Sequence, residues 1–231
     1  MPDKEHAVPR IFVVIAAYNE ATTIQAVVAR LLLHYPNVVV VDDGSSDETS
    51  RCLAGTHAHV LRHVVNRGQG AALQTGMSFA LAQGADIVIT FDADGQHHEH
   101  DIAALVEPIL AGQCDVSLGS RFMGRAANMP LTRWLVLKAA VVFTRMISRI
   151  EVSDAHNGLR AFSRRAAQSF QITIDRMGHA SELLDQIKSA GWSFREVPVT
   201  ITYSTYSVAR GQSSWNAVVI GTQMLLKKLS R

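Results

Sequence analysis

The sequence predicts an α/β protein in which helices flank a mostly parallel central sheet. Two observations support this prediction. Short apolar runs rich in β-branched residues recur through the first half of the chain, and a segment of helical character follows each run. Such segments join parallel strands through right-handed crossovers, which place helices on both faces of the sheet. Because the chain has 231 residues and no internal repeat, we expect a single domain.

The first half of the chain carries the regular part of this pattern. Helices are expected where Gly, Asn, Asp or Ser introduces a segment long enough to form a crossover. The predicted strands are 11–16, 38–41, 60–64, 86–91 and 116–118, and the predicted helices are 20–33, 46–53, 70–82 and 99–110.

Beyond Gly119 the alternation changes. We predict, in order, a loop, a long helix to about Arg149, a short strand at 158–162, a helix near 181–190 and a strand at 194–203. Antiparallel or mixed pairing is expected in this part, which would shape the pocket of a second substrate. We therefore divide the domain into a first half, residues 10–120, and a second half, residues 121–231.

Composition excludes several classes of protein. The net charge of +2 is too small to predict nucleic-acid binding, and no basic run is interleaved with aromatic residues. Cys52 and Cys114 are far apart in sequence, and the first residues lack the apolar segment of a signal peptide. We expect a cytoplasmic protein.

Two segments, 131–150 and 215–229, are unusually apolar. Neither reaches the roughly 18 residues of a membrane span, because Lys138 interrupts the longest run. On a helix, Lys138, Arg145 and Arg149 fall within about 40° of one another and form a basic stripe beside an apolar face. This pattern suits the inner face of a membrane, reached directly or through a membrane-protein partner. The alternative is a helix that packs on the core with a solvated edge.

Asp92 and Asp94 directly follow the predicted strand 86–91. Parallel strands deliver functional groups at their carboxyl ends, and paired carboxylates bind Mg²⁺ or Mn²⁺ together with the phosphates of a nucleotide. Gln96 and His97 continue the loop and could add a ligand. The alternative is that the acidic pair caps the following helix.

Polar residues also follow the first two predicted strands. Tyr18 and Glu20 follow the first strand, and Asp42 and Asp43 follow the second, so both groups should lie on one rim of the sheet. Carboxylates there can accept hydrogen bonds from a nucleobase or from ribose hydroxyls. A turn at Asp43 and a capping box beginning at Ser45 would also explain part of the second group.

The loop 66–70 is rich in small residues and leads into a predicted helix. Free amides and the guanidinium of Arg67 could approach a nucleotide there. Neither a dinucleotide-binding glycine pattern nor a Walker lysine is present, and capping by Asn66 is an alternative role.

Taken in order, these segments and two later ones resemble the family 2 glycosyltransferases, and in particular the dolichol- or polyprenyl-phosphate hexosyltransferases. The segments are Ala17-Tyr18-Asn19-Glu20, Asp42-Asp43-Gly44-Ser45, Asn66-Arg67-Gly68-Gln69-Gly70, Asp92-Ala93-Asp94-Gly95-Gln96-His97, Gly119-Ser120-Arg121-Phe122 and Asp154-Ala155-His156-Asn157-Gly158-Leu159-Arg160-Ala161-Phe162. The resemblance implies a GT-A fold, a nucleotide-diphosphate sugar donor, Mg²⁺ or Mn²⁺, and transfer of a hexose with inversion. The first half would bind the donor, and the second half, with its amphipathic helices, would bind the acceptor.

The resemblance also implies roles for individual residues. Asp92, Asp94 and Gln96 would hold the metal, Asp94 would also be catalytic, and Arg121 and Arg160 would face the phosphates. The remaining donor-binding positions are Ala17, Tyr18, Glu20, Asp42, Asp43, Arg67, Gly70, Asp92, Ala93, Arg210 and Ser213.

The acceptor decides which further groups are needed. A polyprenyl phosphate attacks as an existing anion and needs cationic guides such as Arg121, Arg133 or Arg160. A soluble or glycan hydroxyl acceptor needs a carboxylate to take its proton, and Asp154 and Glu182 are the candidates. Two of these residues have structural alternatives, because Arg160 could bridge the rim to a carboxylate and Glu182 could begin a helix.

The sequence departs from the polyprenyl-phosphate branch at two positions. Ser214 stands where that branch has a lysine, although Arg210 could supply the charge, and Gln69 occupies a position that is often basic. His97, His98 and His100 do not form a zinc cluster, and we expect the last two at the surface. Two other functions remain alternatives, a sugar-phosphate nucleotidyltransferase and a noncatalytic nucleotide-sugar sensor.

Overall fold

A computed structural model of the chain describes residues 8–148, 150–173 and 178–204. The strands are β1 (Ile11–Ala17), β2 (Asn37–Asp42), β3 (His59–Arg62), β4 (Ile87–Asp92), β5 (Val116–Ala127), β6 (Arg160–Ser163) and β7 (Phe194–Thr202). The helices are α1 (Ile24–Leu32), α2 (Thr49–Cys52), α3 (Gln69–Ala82), α4 (Asp101–Leu110), α5 (Leu131–Ser148), α6 (Arg164–Ser169) and α7 (His179–Ala190).

The strands form one mixed sheet in the order β3-β2-β1-β4-β6-β5-β7. The first four neighbours are parallel, β6 is antiparallel to both β4 and β5, and β7 is parallel to β5. The predicted α/β fold, with a mostly parallel sheet and a mixed second half, is confirmed.

The core lies on both faces of this sheet, because the central strands are apolar on both sides. On β1, Phe12 and Val14 pack on one face, where α3 contributes Met77. Val13 and Ile15 pack on the other face with residues of α1 and α4. Strands covered on both faces read as continuous apolar runs, and this is why they were recognisable in the sequence.

The second half differs from its prediction in two elements. The prediction of a loop after Gly119 is wrong, because β5 continues to Ala127. This part of β5 pairs with β7 in parallel, with a register shift between Ser120 and Arg125. A Cβ at Gly124 would lie 2.3 Å from the carbonyl oxygen of Val199, so only glycine fits at this approach. Helix α6 was not predicted from the sequence.

Helix α5 turns much of its apolar surface outward. Leu131, Leu135, Val142 and Met146 are each more than half exposed. No helix among the described residues is both long enough and apolar enough to cross a membrane.

The basic stripe predicted on α5 has partners within the protein. Lys138 Nζ lies 3.9 Å from the ring centroid of Phe122, and Arg145 Nε donates to the carbonyl of Val152 at 2.8 Å. Arg149 and the segment 215–229 lie outside the described residues.

Candidate active site

The register of the sheet brings the predicted site residues to one edge. Ala16 pairs with Asp92 across β1 and β4, and Ala17 pairs with Asp42 across β1 and β2. The three loops that follow these strands therefore emerge side by side, as expected for the carboxyl ends of parallel strands.

Asp92 lies at the centre of this edge and is held by three separate loops. Gln69 Nε2 donates to its Oδ1 at 3.1 Å, and His97 Nε2 lies 2.9 Å from its Oδ2. Gly158 closes the third side, because a Cβ built there would lie 2.2 to 2.5 Å from the carboxylate atoms. The carboxylate is thus fixed in place before any ligand binds.

Electrostatic interactions shift the pKa values of Asp92 and Asp94 in opposite directions. Burial acts to raise the pKa of Asp92, but the hydrogen bond with His97 and the electrostatic influence of His97, His179 and Arg160 hold this pKa below its ordinary value. Burial and the neighbouring Asp92 charge raise the pKa of Asp94. The ionised form of Asp94 is therefore disfavoured, and a bound cation would relieve this penalty.

The donor set at this point fits a hard divalent cation. Asp94 accepts hydrogen bonds from the backbone and side-chain nitrogens of Gln96, so all three predicted ligand residues lie in one turn. Within the described ranges, no three His, Cys, Asp or Glu side chains converge in a way that could hold a metal ion. Two adjacent carboxylates suit Mg²⁺ or Mn²⁺, which take oxygen ligands and keep places for substrate phosphates.

The loop after β1 is fastened to the loop after β2. Asn19 adopts a left-handed backbone with φ of 55°, and its side-chain oxygen accepts from the amide of Ser46 at 2.8 Å. Its own amide donates to Ser45 Oγ at 2.9 Å. Tyr18, just before it, is 45% exposed at the rim, whereas Ala17 is buried. Glu20 is close enough to add its negative charge to the field at Asp94.

Asp42 and Asp43 are both buried, and both support loops. Asp42 accepts from the amide of Ser45 at 2.9 Å and from the Ser50 hydroxyl, and Arg62 Nε lies 3.4 Å from its Oδ2. Burial acts to raise the pKa of Asp42, but these partners lower it. Direct contact of Asp42 with a ligand would require an exchange of these partners.

The Asp43 carboxylate organises the loop that leads into α3. It accepts from the amides of Arg67 at 3.0 Å and Gly68 at 2.6 Å, and His63 Nδ1 lies 2.6 Å from its Oδ1. Gly68 has a φ of 96°, which glycine adopts without strain. The side chain of Arg67 is exposed above this loop, and Gly70 is buried in the first turn of α3.

Arg121 and Asp154 form a buried ion pair. Arg121 Nε donates to Asp154 Oδ2 at 2.6 Å, and the Arg121 amide donates to the same oxygen at 3.1 Å. Burial acts to lower the pKa of Arg121, but Asp154 and Tyr203 raise it, so the guanidinium remains charged. Asp154, one of the two candidate bases, is occupied by this contact.

Arg160 places a second buried cation near the acidic pair. Its Nε donates to the carbonyl of Asn157 at 3.0 Å, and its Nη2 donates to the carbonyl of Ala155 at 3.3 Å. Burial lowers the pKa of Arg160 to about 10, which still leaves it charged at neutral pH. Burial and the charge of Arg160 lower the pKa of His156 to about 4, so this imidazole is neutral.

Glu182, the second candidate base, lies in the first turn of α7. Its carboxylate accepts from the amide of Thr173 at 3.0 Å and from the Thr173 hydroxyl. Arg210 and Ser213 lie outside the described residues.

Several residues of the site were not assigned from the sequence. Gly158 was recognised only as part of a motif, and His179 was not recognised at all, although its charge acts on Asp92. His63 and Tyr203 hold other members of the site. In the sequence, His63 is distinguished only by its position after a strand and His179 only by its position at the start of a helix. Many residues without a role in a site occupy such positions.

The fold has clear relatives among solved structures. Glucosyl-3-phosphoglycerate synthase from Mycobacterium tuberculosis, in complex with Mn²⁺, UDP and phosphoglyceric acid, superimposes with a TM-score of 0.74 at 20% identity, covering 96% of this chain and 78% of that chain. Fold and site together define a glycosyltransferase of the GT-A class.

Residues 12–170 match the family described as Glycosyl transferase family 2, and the chain belongs to this family. The UDP-N-acetylglucosamine–dolichyl-phosphate N-acetylglucosaminyltransferase of Methanococcus voltae is 34% identical over 96% of this chain and 97% of its own length. The polyprenol monophosphomannose synthase of Mycolicibacterium smegmatis is 30% identical over 89% of this chain and 82% of its own length. The resemblance seen in the sequence is confirmed, and a nucleotidyltransferase or a noncatalytic sensor is set aside.

Proposed function

We propose that this protein transfers a hexose, with inversion and with the help of Mg²⁺ or Mn²⁺, from a nucleotide-diphosphate sugar to a polyprenyl phosphate. The observation that carries the proposal is the pair Asp92 and Asp94, held at the edge of the sheet beside buried cationic groups. The named functions of the Methanococcus and Mycolicibacterium relatives support the choice of a lipid-phosphate acceptor.

The reaction is a single displacement at the anomeric carbon. An oxygen of the acceptor phosphate forms the new bond while the bond to the nucleotide diphosphate breaks, and the leaving diphosphate keeps the electron pair. A divalent cation at Asp92, Asp94 and Gln96 would supply charge neutralisation for that leaving group. Tyr18 and Glu20 line the side where the nucleotide would lie, and Arg160 adds a fixed positive charge.

Both candidate bases already have hydrogen-bond partners within the protein, and this favours an acceptor that is itself an anion. Asp154 is buried against Arg121, and Glu182 accepts two hydrogen bonds from Thr173. A hydroxyl acceptor would need one of these carboxylates free to take a proton, whereas a phosphate monoester attacks without a base. Arg133 at the start of α5 is a further cationic guide for such an acceptor.

Contact with a membrane surface follows from the same acceptor, because polyprenyl chains reside in lipid. From Arg125 to Ser148 the chain contains four basic residues and no acidic one. The exposed apolar side chains of α5 belong to this stretch. Apolar residues flanked only by positive charge suit an anionic bilayer surface. These features support the proposal that the protein works at the periphery of the membrane that holds its acceptor.

The direct test is a transfer assay with UDP-glucose, UDP-N-acetylglucosamine and GDP-mannose, each with Mn²⁺ and with or without undecaprenyl phosphate. We expect one donor to yield a glycosylated lipid phosphate and the free nucleotide diphosphate. Asp94→Ala should abolish transfer and leave the fold intact, since removing one of two close carboxylates relieves repulsion. Asp185→Ala, at an exposed carboxylate of α7, is the matched control and should retain full activity.

Two outcomes would overturn parts of the proposal. Full activity of Asp94→Ala with metal present would contradict the assignment of the metal site. Transfer to a soluble glycan hydroxyl, with none to undecaprenyl phosphate, would contradict the acceptor and would return Asp154 and Glu182 to consideration as bases.

A further inference from the structure

We infer that Tyr203 is a positioning residue that connects the start of α5 to the Arg121–Asp154 pair of the active site. The inference rests on the proposed function, because it assigns Arg121 to the site where the diphosphate leaves. It concerns a residue just beyond β7 that forms no part of the acidic motifs.

The hydroxyl of Tyr203 holds one side of the Arg121 guanidinium. Arg121 Nη1 donates to this hydroxyl at 2.7 Å, while Nε donates to Asp154 and Nη2 donates to the carbonyl of His156 at 3.1 Å. Three partners around one planar group define both its position and its rotation. Of the three partners, Tyr203 is the most distant from Arg121 in the sequence, 82 residues away.

The ring of Tyr203 supports a second cation. The guanidinium carbon of Arg133, near the start of α5, lies 5.0 Å from the ring centroid. This distance falls within the range of a cation–π interaction. Since Tyr203 is only 3% exposed, both contacts form in a site largely shielded from water, where they are stronger than at the surface.

The backbone fixes Tyr203 between these two partners. Its amide donates to the carbonyl of Ala127 at 3.1 Å, at the end of β5, and the neighbouring Thr202 amide donates to Gln96 in the loop of the acidic pair. Tyr203 therefore cannot shift without disturbing β5 or the Gln96 loop. The same side chain sets the orientation of Arg121 through its oxygen and the placement of Arg133 through its ring.

Two substitutions separate these roles. Tyr203→Phe removes only the hydroxyl, so the ring still supports Arg133. We expect kcat to fall about tenfold, because a charged group loses a hydrogen-bond partner, while KM for undecaprenyl phosphate stays unchanged. Tyr203→Leu also removes the ring, and we expect the KM for undecaprenyl phosphate to rise severalfold in addition.

A double-mutant cycle distinguishes positioning from a general loss of structure. Arg133→Gln should raise the KM for undecaprenyl phosphate in the wild-type and Tyr203→Phe backgrounds but should add nothing in Tyr203→Leu. Tyr35→Phe, the same substitution at a half-buried tyrosine outside the site, is the matched control and should leave both constants unchanged. Urea unfolding of each variant confirms that the measured molecules are folded.

The outcomes separate the two proposals. If the wild-type protein transfers sugar and Tyr203→Phe matches Tyr35→Phe in kcat, the inference is wrong and the proposed function stands. If Arg133→Gln and Tyr203→Leu affect KM additively, the ring does not couple α5 to the site. If the wild-type protein transfers no sugar from any of the three donors, the proposed function fails first, and the inference fails with it.

Discussion

At the scale of single residues, the site is organised around one carboxylate rather than around a cluster. Asp92 receives a donor on each oxygen, from Gln69 and His97, and has the backbone of Gly158 against its side. Among the described residues, Asp94 accepts hydrogen bonds from Gln96 of its own loop, and its ionised form is disfavoured. Asp92 would therefore give a divalent cation a fixed ligand, and the disfavoured negative charge of Asp94 would favour binding of that cation.

Replacing Asp94 by Asn should stabilise the metal-free protein. The folded-state pKa of Asp94 lies above its value in the unfolded chain, which is about 3.9. Its contribution to stability is therefore fully present below pH ~4 and is lost as the pH rises through the raised pKa. At pH 7 we expect Asp94→Asn to raise the free energy of unfolding, measured by urea titration.

The same variant tests the cation. Adding Mn²⁺ should raise the urea midpoint of the wild-type protein and leave that of Asp94→Asn unchanged, since a ligand stabilises the state that binds it. Asp185→Asn, at an exposed position, should behave as wild type in both conditions. A wild-type midpoint that does not respond to Mn²⁺, with or without UDP, would contradict a metal site at Asp94.

Gly158→Ala tests the cradle of Asp92 directly. The new methyl group would overlap the Asp92 carboxylate, so the acid must move away from Gln69 or His97. We expect transfer activity to fall at least tenfold, with a loss of about 1–3 kcal/mol in stability from overpacking. Steady-state kinetics beside urea unfolding would separate the two effects.

Gly76→Ala provides the comparison for that experiment. Its methyl group would meet Val14 Cγ1 at 2.3 Å, a similar overlap with an apolar side chain of the core rather than with Asp92. This variant should lose stability and keep its activity per folded molecule. Equal activities for the two variants would show that the cradle does not matter for the reaction.

Sequence reasoning found the acidic pair but not the groups that hold it. Asp92, Asp94 and Gln96 stand together after a recognisable strand, so their proximity follows from local order alone. Gln69 and Gly158 approach Asp92 from loops 23 and 66 residues away, and such contacts depend on the strand order of the sheet. The pairing of Asp154 with Arg121, 33 residues away, was hidden for the same reason.

At the scale of elements, the strands of the first half were predictable and β5 was not. β1, β2 and β4 are buried on both faces, so their sequences are continuously apolar. The second part of β5 contains Arg121, Gly124 and Arg125, and its strand conformation comes from pairing with β7. Propensity cannot reveal a strand whose stability is supplied by a partner about 75 residues later.

Helix α5 is the element on which membrane contact depends. Leu135→Glu and Met146→Glu place a negative charge on its exposed apolar surface, and each should weaken binding to vesicles containing anionic lipid about tenfold. Val64→Glu, at a side chain that is 99% exposed near the other edge of the sheet, should have no effect. Vesicle co-sedimentation measures all three. Equal binding to neutral and anionic vesicles, or binding to neither, would contradict the proposed role of α5.

At the scale of the whole molecule, the two halves of the chain share one sheet. β4 of the first half pairs with β6 of the second, and β5, which crosses the boundary between the halves, lies between β6 and β7. Apolar residues of both halves also enter the same core layers on each face. Among the described residues, each core layer therefore contains side chains from both halves.

This interleaving leads us to expect one cooperative unfolding transition for the full chain. All three tryptophans lie in the second half, so their fluorescence reports that half, while hydrogen exchange of the β1 and β2 amides reports the first. In a two-state transition both probes give the same urea midpoint and the same free energy of unfolding. Protection of β1 and β2 that persists after the fluorescence change would mean that the donor half is stable alone. In that case the Arg121–Asp154 pair, which belongs to the second half, could be lost while the acidic pair remained in place.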